Sequence, residues 1–170
     1  MAQPLKQHAL VRTKWHLECF RKGQKIWEMG VDNIVTTEGI NALLETMFKQ
    51  GTGASGWYVV LSEDGTAGAD NTYGSMGFTE TEDYDETERP AWVPGDVAAG
   101  QVSNGTSKAE FTFNDTVTIY GVGLVGGGTA GSVKLDTNGG GVLYGYADFP
   151  ESKDVIDDDV LRVTVTASGS

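Results

Sequence analysis

The sequence predicts a mainly β protein: an antiparallel, jelly-roll-like β-sandwich with one short amphipathic helix and an N-terminal β-hairpin arm. Short apolar or alternating segments are separated by turns rich in Gly, Asn and Asp, a spacing typical of antiparallel sheets. One segment has helical periodicity, and because a short amphipathic helix cannot form a core alone, we expect it to lie on a sheet. The chain has 170 residues, 39% of them hydrophobic, which suits one domain.

The N-terminal segment is predicted to be a basic hairpin. Leu10–Phe20 alternates apolar and polar residues with period two, the pattern of a half-buried strand. Arg21–Lys25 interrupts the alternation with a Gly-containing turn, and Ile26–Val31 returns as the second strand. We therefore expect residues 1–31 to form an N-terminal arm and residues 32–170 to form the body of the sandwich.

Charge is distributed unevenly between these two parts. Residues 1–30 carry six basic and two acidic side chains, a net charge of +4, whereas residues 31–170 carry −16, for a total of −12. An acidic body repels phosphate, so nucleic acid is not an expected partner. The hairpin could stack bases on Trp15 and Trp27, but the charge of the body favours contact between its basic side chains and acidic protein.

The helix is predicted from a single apolar stripe with i, i+3, i+4 spacing. Thr36 or Thr37 is expected to cap its start and Gly51 to end it. Glu38 near the start and Lys49 near the end suit the helix dipole. The residues of the stripe are Ile40, Leu43, Leu44, Met47 and Phe48.

The body is predicted to consist of short strands, beginning with Trp57–Leu61, whose continuous apolar character suggests burial on both faces. Residues 62–107 lack strong periodicity and exceed the length of an ordinary loop, so they form a functional excursion or contain edge strands. We expect an edge strand around Ala91–Val93. The remaining predicted strands are Lys108–Phe113, Thr116–Val125, Val142–Phe149 and Asp159–Thr166.

No catalytic constellation is predicted, so the chain is not expected to be an enzyme. Gly121–Gly126 has the spacing of a dinucleotide-binding loop, but no helix start follows it, and we interpret it as a strand that enters a flexible turn. The chain has two histidines, His8 and His16, and no Ser nucleophile elbow to accompany them. Cys19 lies three residues from His16 on a strand, so the two side chains point to opposite faces.

No metal or other cofactor is predicted either. The calcium-loop pattern is incomplete after Asp64 and after Asp136, because no Glu stands at its twelfth position. The acidic run Glu80–Glu88 either holds a hard cation between loops or forms a loop that is solvated or faces an arginine, and we favour the second interpretation.

The cysteine content and the N-terminus bear on the compartment. Cys19 is the only cysteine and cannot form an internal disulfide, which indicates a reducing environment. Met1–Leu10 does not have the character of a signal peptide, and no apolar run approaches the ~18 residues of a membrane span. We therefore expect neither secretion nor a membrane partner.

Several segments together carry a resemblance to a known family. They are the helix Thr37–Leu44, the strand Trp57–Leu61, the acidic stretch closed by Arg89-Pro90, Ser103-Asn104 ahead of Lys108–Phe111, Tyr120-Gly121 before a Gly-rich loop, and the closing segments Ala147–Phe149 and Asp159–Val165. In this pattern of strands and turns, residues 31–170 resemble the cement, or head decoration, proteins of tailed bacteriophages.

The resemblance implies a non-enzymatic structural protein of the virion. Such a protein is made in the cytoplasm of the bacterial host, binds the outer capsid surface, bridges subunits of the major capsid protein and forms a small homo-oligomer, a dimer or a trimer. Aromatic and Arg side chains are enriched in interface hot spots. The capsid-binding residues predicted on this basis are Arg12, Lys14, Trp15, Arg21, Lys22, Lys25, Trp27, Arg89 and Trp92.

An alternative function is a carbohydrate-binding module on a tail or particle surface. The same sandwich would then expose Trp57, Trp92 or Tyr84 as a platform for sugar rings. Glycan binding without capsid binding would identify this alternative.

Overall fold

The computed structural model describes residues 11–49, 53–54 and 56–169. These residues form ten strands and one helix. The elements are β1 (Val11–Arg21), β2 (Gln24–Asp32), β3 (Ile34–Val35), α1 (Thr37–Phe48), β4 (Trp57–Gly65), β5 (Phe78–Glu80), β6 (Gln101–Ser103), β7 (Ala109–Thr112), β8 (Val117–Gly126), β9 (Val142–Val155) and β10 (Val160–Gly169).

The strands form two antiparallel sheets, and the predicted fold class, a mainly β sandwich with one helix, is confirmed. The first sheet has the order β2-β1-β10-β6, and β7 also pairs with β10 beyond β6. The second sheet has the order β3-β9-β8-β4-β5. One hydrophobic cluster contains the inward side chains of both sheets, such as Leu17 and Val163 from the first and Leu61 and Ile119 from the second. This cluster is the core of the sandwich.

The strand β4 is buried on both faces, as its continuous apolar sequence predicts. Val59 and Leu61 lie in the core between the sheets, whereas Val60 lies in a second cluster on the outer face of the second sheet. The segment after β4 covers this outer face with Tyr73 and Met76. Part of the long polar stretch therefore forms a second layer of packing above the sheet.

Edge strands are present in the same stretch, where the sequence predicts them only in part. β5 pairs with β4, and β6 pairs with β10. Near the predicted edge strand, Ala91 forms an isolated bridge with Tyr58, and the Trp92 amide donates to the Trp57 carbonyl over 2.7 Å. This contact lies on the edge of β4 opposite β8, at the end of that edge that β5 does not reach.

The N-terminal hairpin is part of the sandwich. β1 pairs with β10 from Val11 opposite Gly169 to Phe20 opposite Val160, and with β2 on its other side. Lys22 and Gly23, with φ of 50° and 77°, form the tight turn, and two positive φ angles in succession match the twist of a hairpin. The predicted arm thus forms two strands of the first sheet, and its first ten residues lie outside the described part.

The helix occurs where the sequence predicts it, but the prediction that its apolar stripe lies on a sheet is wrong. All five stripe residues are exposed, most of all Met47 and Phe48 at 78% and 75%. The opposite side of α1, with Ala42 and Thr46, faces the glycine-rich loops across a cleft of about 550 Å³. The predicted stop, Gly51, lies outside the described residues.

The start of the helix explains this orientation. Thr36 is the N-cap, and its Oγ1 accepts a hydrogen bond from the Gly39 amide over 2.9 Å. Glu38 accepts hydrogen bonds from the amides of Tyr73 and Leu143 over 2.8 and 2.7 Å. Gly39 lies directly against the carbonyl of Tyr144 in β9. These contacts fix the first turn on the body and leave the stripe directed to solvent.

Candidate functional site

The outward side chains of β1 give the first sheet a charged outer face. Because a strand alternates its side chains, Arg12, Lys14 and His16 are exposed while Trp15 and Leu17 are buried in the core. On the neighbouring strand β10, polar Ser168 and Thr166 stand opposite Arg12 and Lys14. This face contains three of the nine residues that the sequence predicts as contacts: Arg12, Lys14 and Lys25.

Two of the basic hairpin residues that the sequence predicts as contacts form ion pairs within the chain. Arg21 donates from Nε and Nη2 to the two carboxylate oxygens of Asp159, over 2.8 and 2.7 Å. Lys25 forms ion pairs with Glu18 and Glu28 on the outer face. Asp159 is fully buried, so its pair with Arg21 fastens the hairpin turn to the loop before β10. Arg21 therefore has a structural role.

The Arg21–Asp159 pair makes stability depend on pH. Hydrogen bonds from Arg21 hold the pKa of Asp159 below its ordinary value of 3.8. A lowered carboxyl pKa contributes stability that is complete above about pH 4 and is lost as the pH falls through the folded value. We expect Asp159→Asn to cost about 1–3 kcal/mol at pH 7. Thermal melts at pH 7 and pH 3 should show this difference shrinking on acidification; an equal difference at both would contradict the assignment.

Trp15 and Trp27 lie on the inner face of the first sheet. Trp15 is 1% exposed and belongs to the core, and Trp27, opposite Cys19 in β2, is half-buried against that core. Both positions follow from the alternation that places Leu17 and Cys19 inward. Trp15 is therefore a core residue, which corrects its assignment to a capsid-binding surface.

Arg89 is also a buried residue and not a surface contact. The residue is 2% exposed, and its guanidinium donates to both carboxylate oxygens of Glu80, over 2.8 and 2.5 Å. It also donates to the Tyr73 hydroxyl and to the carbonyls of Gly131 and Asp136. Arg89 thus joins three loop segments above the second sheet, and its assignment to the capsid interface is corrected accordingly.

Two carboxylates of the acidic run have partners within the chain. Glu80 faces an arginine, as the favoured interpretation predicts, and Glu86 accepts the amide of Thr112 at 3.1 Å with both carboxylate oxygens. Within the described ranges, no three His, Cys, Asp or Glu side chains are placed to hold a metal ion. The described carboxylates of this run that make contacts serve to fasten loops.

The aromatic residues proposed as a sugar platform do not present free rings together. Tyr84 is 1% exposed, with its ring below the Lys134 ammonium at 3.7 Å and edge-on to Phe111. Trp92 is half-buried and donates from Nε1 to the Val165 carbonyl over 3.3 Å. Trp57 is half-buried and packs edge-to-face with Tyr144. All three rings belong to the core cluster or pack against it.

The basic side chains that stay unpaired are concentrated on the hairpin. The following basic residues form ion pairs with carboxylates: Arg21, Lys25, Lys49, Arg89, Lys108, Lys153 and Arg162. Lys134 binds the carbonyls of Glu82 and Tyr84. Among the residues that the structure describes, Arg12, Lys14 and Lys22 have no carboxylate within 4 Å, although Asp32 stands opposite Lys14 in β2.

Sequence reasoning missed the second candidate surface, the exposed stripe of α1. We name it the α1 face; its residues are Ile40, Leu43, Leu44, Met47 and Phe48. The helical period identifies these residues as one apolar group. The helical period does not indicate what packs against these residues, so the sequence provides no signal for their exposure.

Comparison with family models and with curated proteins adds nothing to this geometry. No protein-family model matches the chain, and no curated protein matches it. Within residues 11–49, 53–54 and 56–169, no helix combines the length and the hydropathy that crossing a membrane requires.

Proposed function

We propose that the chain is a structural virion protein that binds the outer surface of a phage capsid and bridges subunits of the major capsid protein. It is made in the host cytoplasm, acts as a homo-oligomer, a dimer or a trimer, and has no catalytic role. The observation that carries this proposal is the concentration of unpaired cations on the hairpin of a strongly acidic molecule. The resemblance to head decoration proteins supplies the identity of the partner.

The charges specify how the molecule would approach a shell. A net charge of −12 opposes general adhesion to an acidic surface, so the orientation that presents Arg12, Lys14 and Lys22 is favoured. Complementary charge of this kind steers association and fixes orientation more than it adds affinity. The acidic remainder of the molecule then faces solvent, away from the shell.

The spacing of the cations suits a bridging contact. Lys14 lies in the first half of β1 and Lys22 in the turn at its far end, a separation of about 26 Å at the usual rise of a strand. Two attachment points at this distance contact separate regions of a shell. When geometry allows both to engage, avidity rises by about 10²–10⁴ over one contact. A protein that binds only the assembled shell also stabilises it by mass action.

Co-sedimentation with mature, undecorated heads of the phage that encodes the chain tests the proposal. We expect saturable binding at a fixed copy number per head, weakened by added salt because exposed charges are screened. Replacing Lys14 and Lys22 with Gln should weaken binding at least tenfold, which corresponds to about 1.4 kcal/mol. Both side chains are exposed, so the fold should be unchanged.

The matched control is Lys49→Gln with Lys153→Gln. It removes the same charge from lysines that already have carboxylate partners, Glu45 and Glu151, and should leave binding within about twofold of the original. Equal losses in the two variants would remove the hairpin from the mechanism. Absence of binding to any head form would overturn the proposal, and glycan binding in its place would favour the carbohydrate-binding alternative.

A further inference from the structure

We propose that the α1 face packs against the α1 face of a second copy of this chain. This inference rests on the homo-oligomer in the proposed function and names the surface that forms it. It requires no capsid, so it can be tested on the protein alone.

The α1 face is larger than the scattered apolar residues of an ordinary surface. Five large side chains are adjacent on one side of the helix, each between 38% and 78% exposed. Their combined uncovered area is on the order of several hundred Å², the size at which an apolar patch on a soluble protein marks an interaction site. A standard interface buries about 800 Å² on each partner, and the α1 face with its rim approaches that area on each copy.

The distribution of charge favours a second copy as the occupant. The two carboxylates of α1 are both engaged, because Glu38 accepts amides of the body and Glu45 pairs with Lys49 over 2.7 Å. The α1 face itself has no charged side chain. Two molecules that each carry −12 repel one another over most of their surfaces, and they meet at lowest electrostatic cost where no net charge is buried. An isologous contact places identical surfaces together, so an uncharged apolar face suits it.

The way in which the helix is held supports the same conclusion. Its N-terminal turn is fixed by Thr36, Glu38 and Gly39, but its second half stands above the cleft lined by Gly127, Gly128 and Gly140. A helix of 12 residues is marginal in water without tertiary packing. Packing Met47 and Phe48 against a second helix supplies contacts for the half that lacks them.

Light scattering coupled to size exclusion tests the proposal on the purified chain. At about 100 µM we expect at least twice the chain mass of 18.1 kDa. Leu44→Glu with Met47→Glu should reduce the mass to that of one chain, because a contact between two such faces would bury four carboxylates without partners. Both positions are exposed, so circular dichroism should stay unchanged.

The matched control is Thr46→Glu, which adds a carboxylate to the same helix on the side that lines the cleft. Its mass should equal that of the original protein. A single-chain mass for the original protein would overturn the proposal, as would an oligomer that persists in the double variant. If the original protein is monomeric and the double variant loses binding to heads, the α1 face contacts the capsid instead.

Cross-linking provides a second readout that does not depend on the stability of the variants. Met47→Cys should form a linked dimer with a short bismaleimide, whereas Thr46→Cys should not. The native Cys19 is fully buried, and burial raises its pKa to about 12, so it should not react in the folded protein. A failure of Met47→Cys to cross-link at a concentration where the protein is oligomeric would place the interface elsewhere.

Discussion

Replacing Arg89 with Met is expected to lower the free energy of unfolding by about 3–5 kcal/mol, the usual cost of breaking a buried ion pair. The Arg89 side chain is fully buried, and Glu80 is nearly so. Burial has the largest single influence and lowers the pKa of the Arg89 guanidinium, but the hydrogen bonds and negative charge of Glu80, together with the contact to Tyr73, outweigh it and hold the pKa above its ordinary value. Without Arg89, the Glu80 carboxylate is left with the Leu135 amide as its described partner.

Urea-induced unfolding measures this cost, with two further variants as controls. Arg162→Met removes an arginine that pairs with Glu110 over 2.7 Å at the surface, and it should cost no more than about 1 kcal/mol. Adding Glu80→Gln to Arg89→Met should recover part of the loss, because the unpaired charge is gone. If the double variant is no more stable than Arg89→Met, the buried charge is not the cause of the loss.

Gly39→Ala is expected to have the second largest effect, a cost at or above the upper end of the ~1–3 kcal/mol that is usual for overpacking. An added Cβ would lie 2.4 Å from the carbonyl oxygen of Tyr144 and 2.9 Å from its Cα. These are backbone atoms of β9, so they cannot rotate away as a side chain does. Alanine gains about 1 kcal/mol over glycine in helix propensity, which offsets part of the strain. Because Gly39 sets the contact between α1 and the body, oligomer formation should weaken as well.

Gly105→Ala is the matched control for this substitution. Its added Cβ would meet the Ser103 hydroxyl at 3.7 Å, an ordinary contact distance. We expect its midpoint of urea denaturation to stay close to that of the original protein. If Gly39→Ala were equally harmless, the close approach of α1 to β9 would not be a constraint on the fold.

Local periodicity accounts for the part of the fold that the sequence predicts well. The alternation in β1 and the continuous apolar run in β4 depend on residues within one strand, and both are confirmed in position and in burial. Turns that contain Gly, Asn or Asp also predict the strands β7, β8 and β10 to within three residues of their observed ends. β9 extends to Val155, six residues beyond its predicted end, because its continuation pairs with the first residues of β8.

The orientation of α1 could not be predicted, because it depends on contacts far apart in the chain. Glu38 is held by the amides of Tyr73 and Leu143, 35 and 105 residues away. The apolar stripe suggests burial, and within one chain that expectation fails. The sequence pattern describes what the helix face prefers, whereas the tertiary contacts decide where the face points.

The exposure of the candidate-site residues could be predicted where it follows from the alternation of a strand. It could not be predicted where a side chain is buried by an ion pair with a distant residue. Arg12 and Lys14 are exposed as the alternation in β1 requires, and the same alternation indicates that Trp15 points inward. Nothing in the local pattern distinguishes Arg89, whose partner Glu80 is one of many acidic residues before it. A buried arginine is recognised only when its carboxylate is located.

The pairing of β1 with β10 has a consequence for the order in which the molecule matures. The two strands are separated by almost the whole described chain, yet they form a ladder of ten residue pairs at the centre of the first sheet. During synthesis β1 emerges from the ribosome before β10, so Trp15 and Leu17 stay without their partners in β10 until that strand has emerged. Contacts of such long sequence separation form slowly. The first sheet therefore closes only once β10 has been made, and until then the hairpin exposes an apolar surface on which chaperones, or other nascent copies, can act.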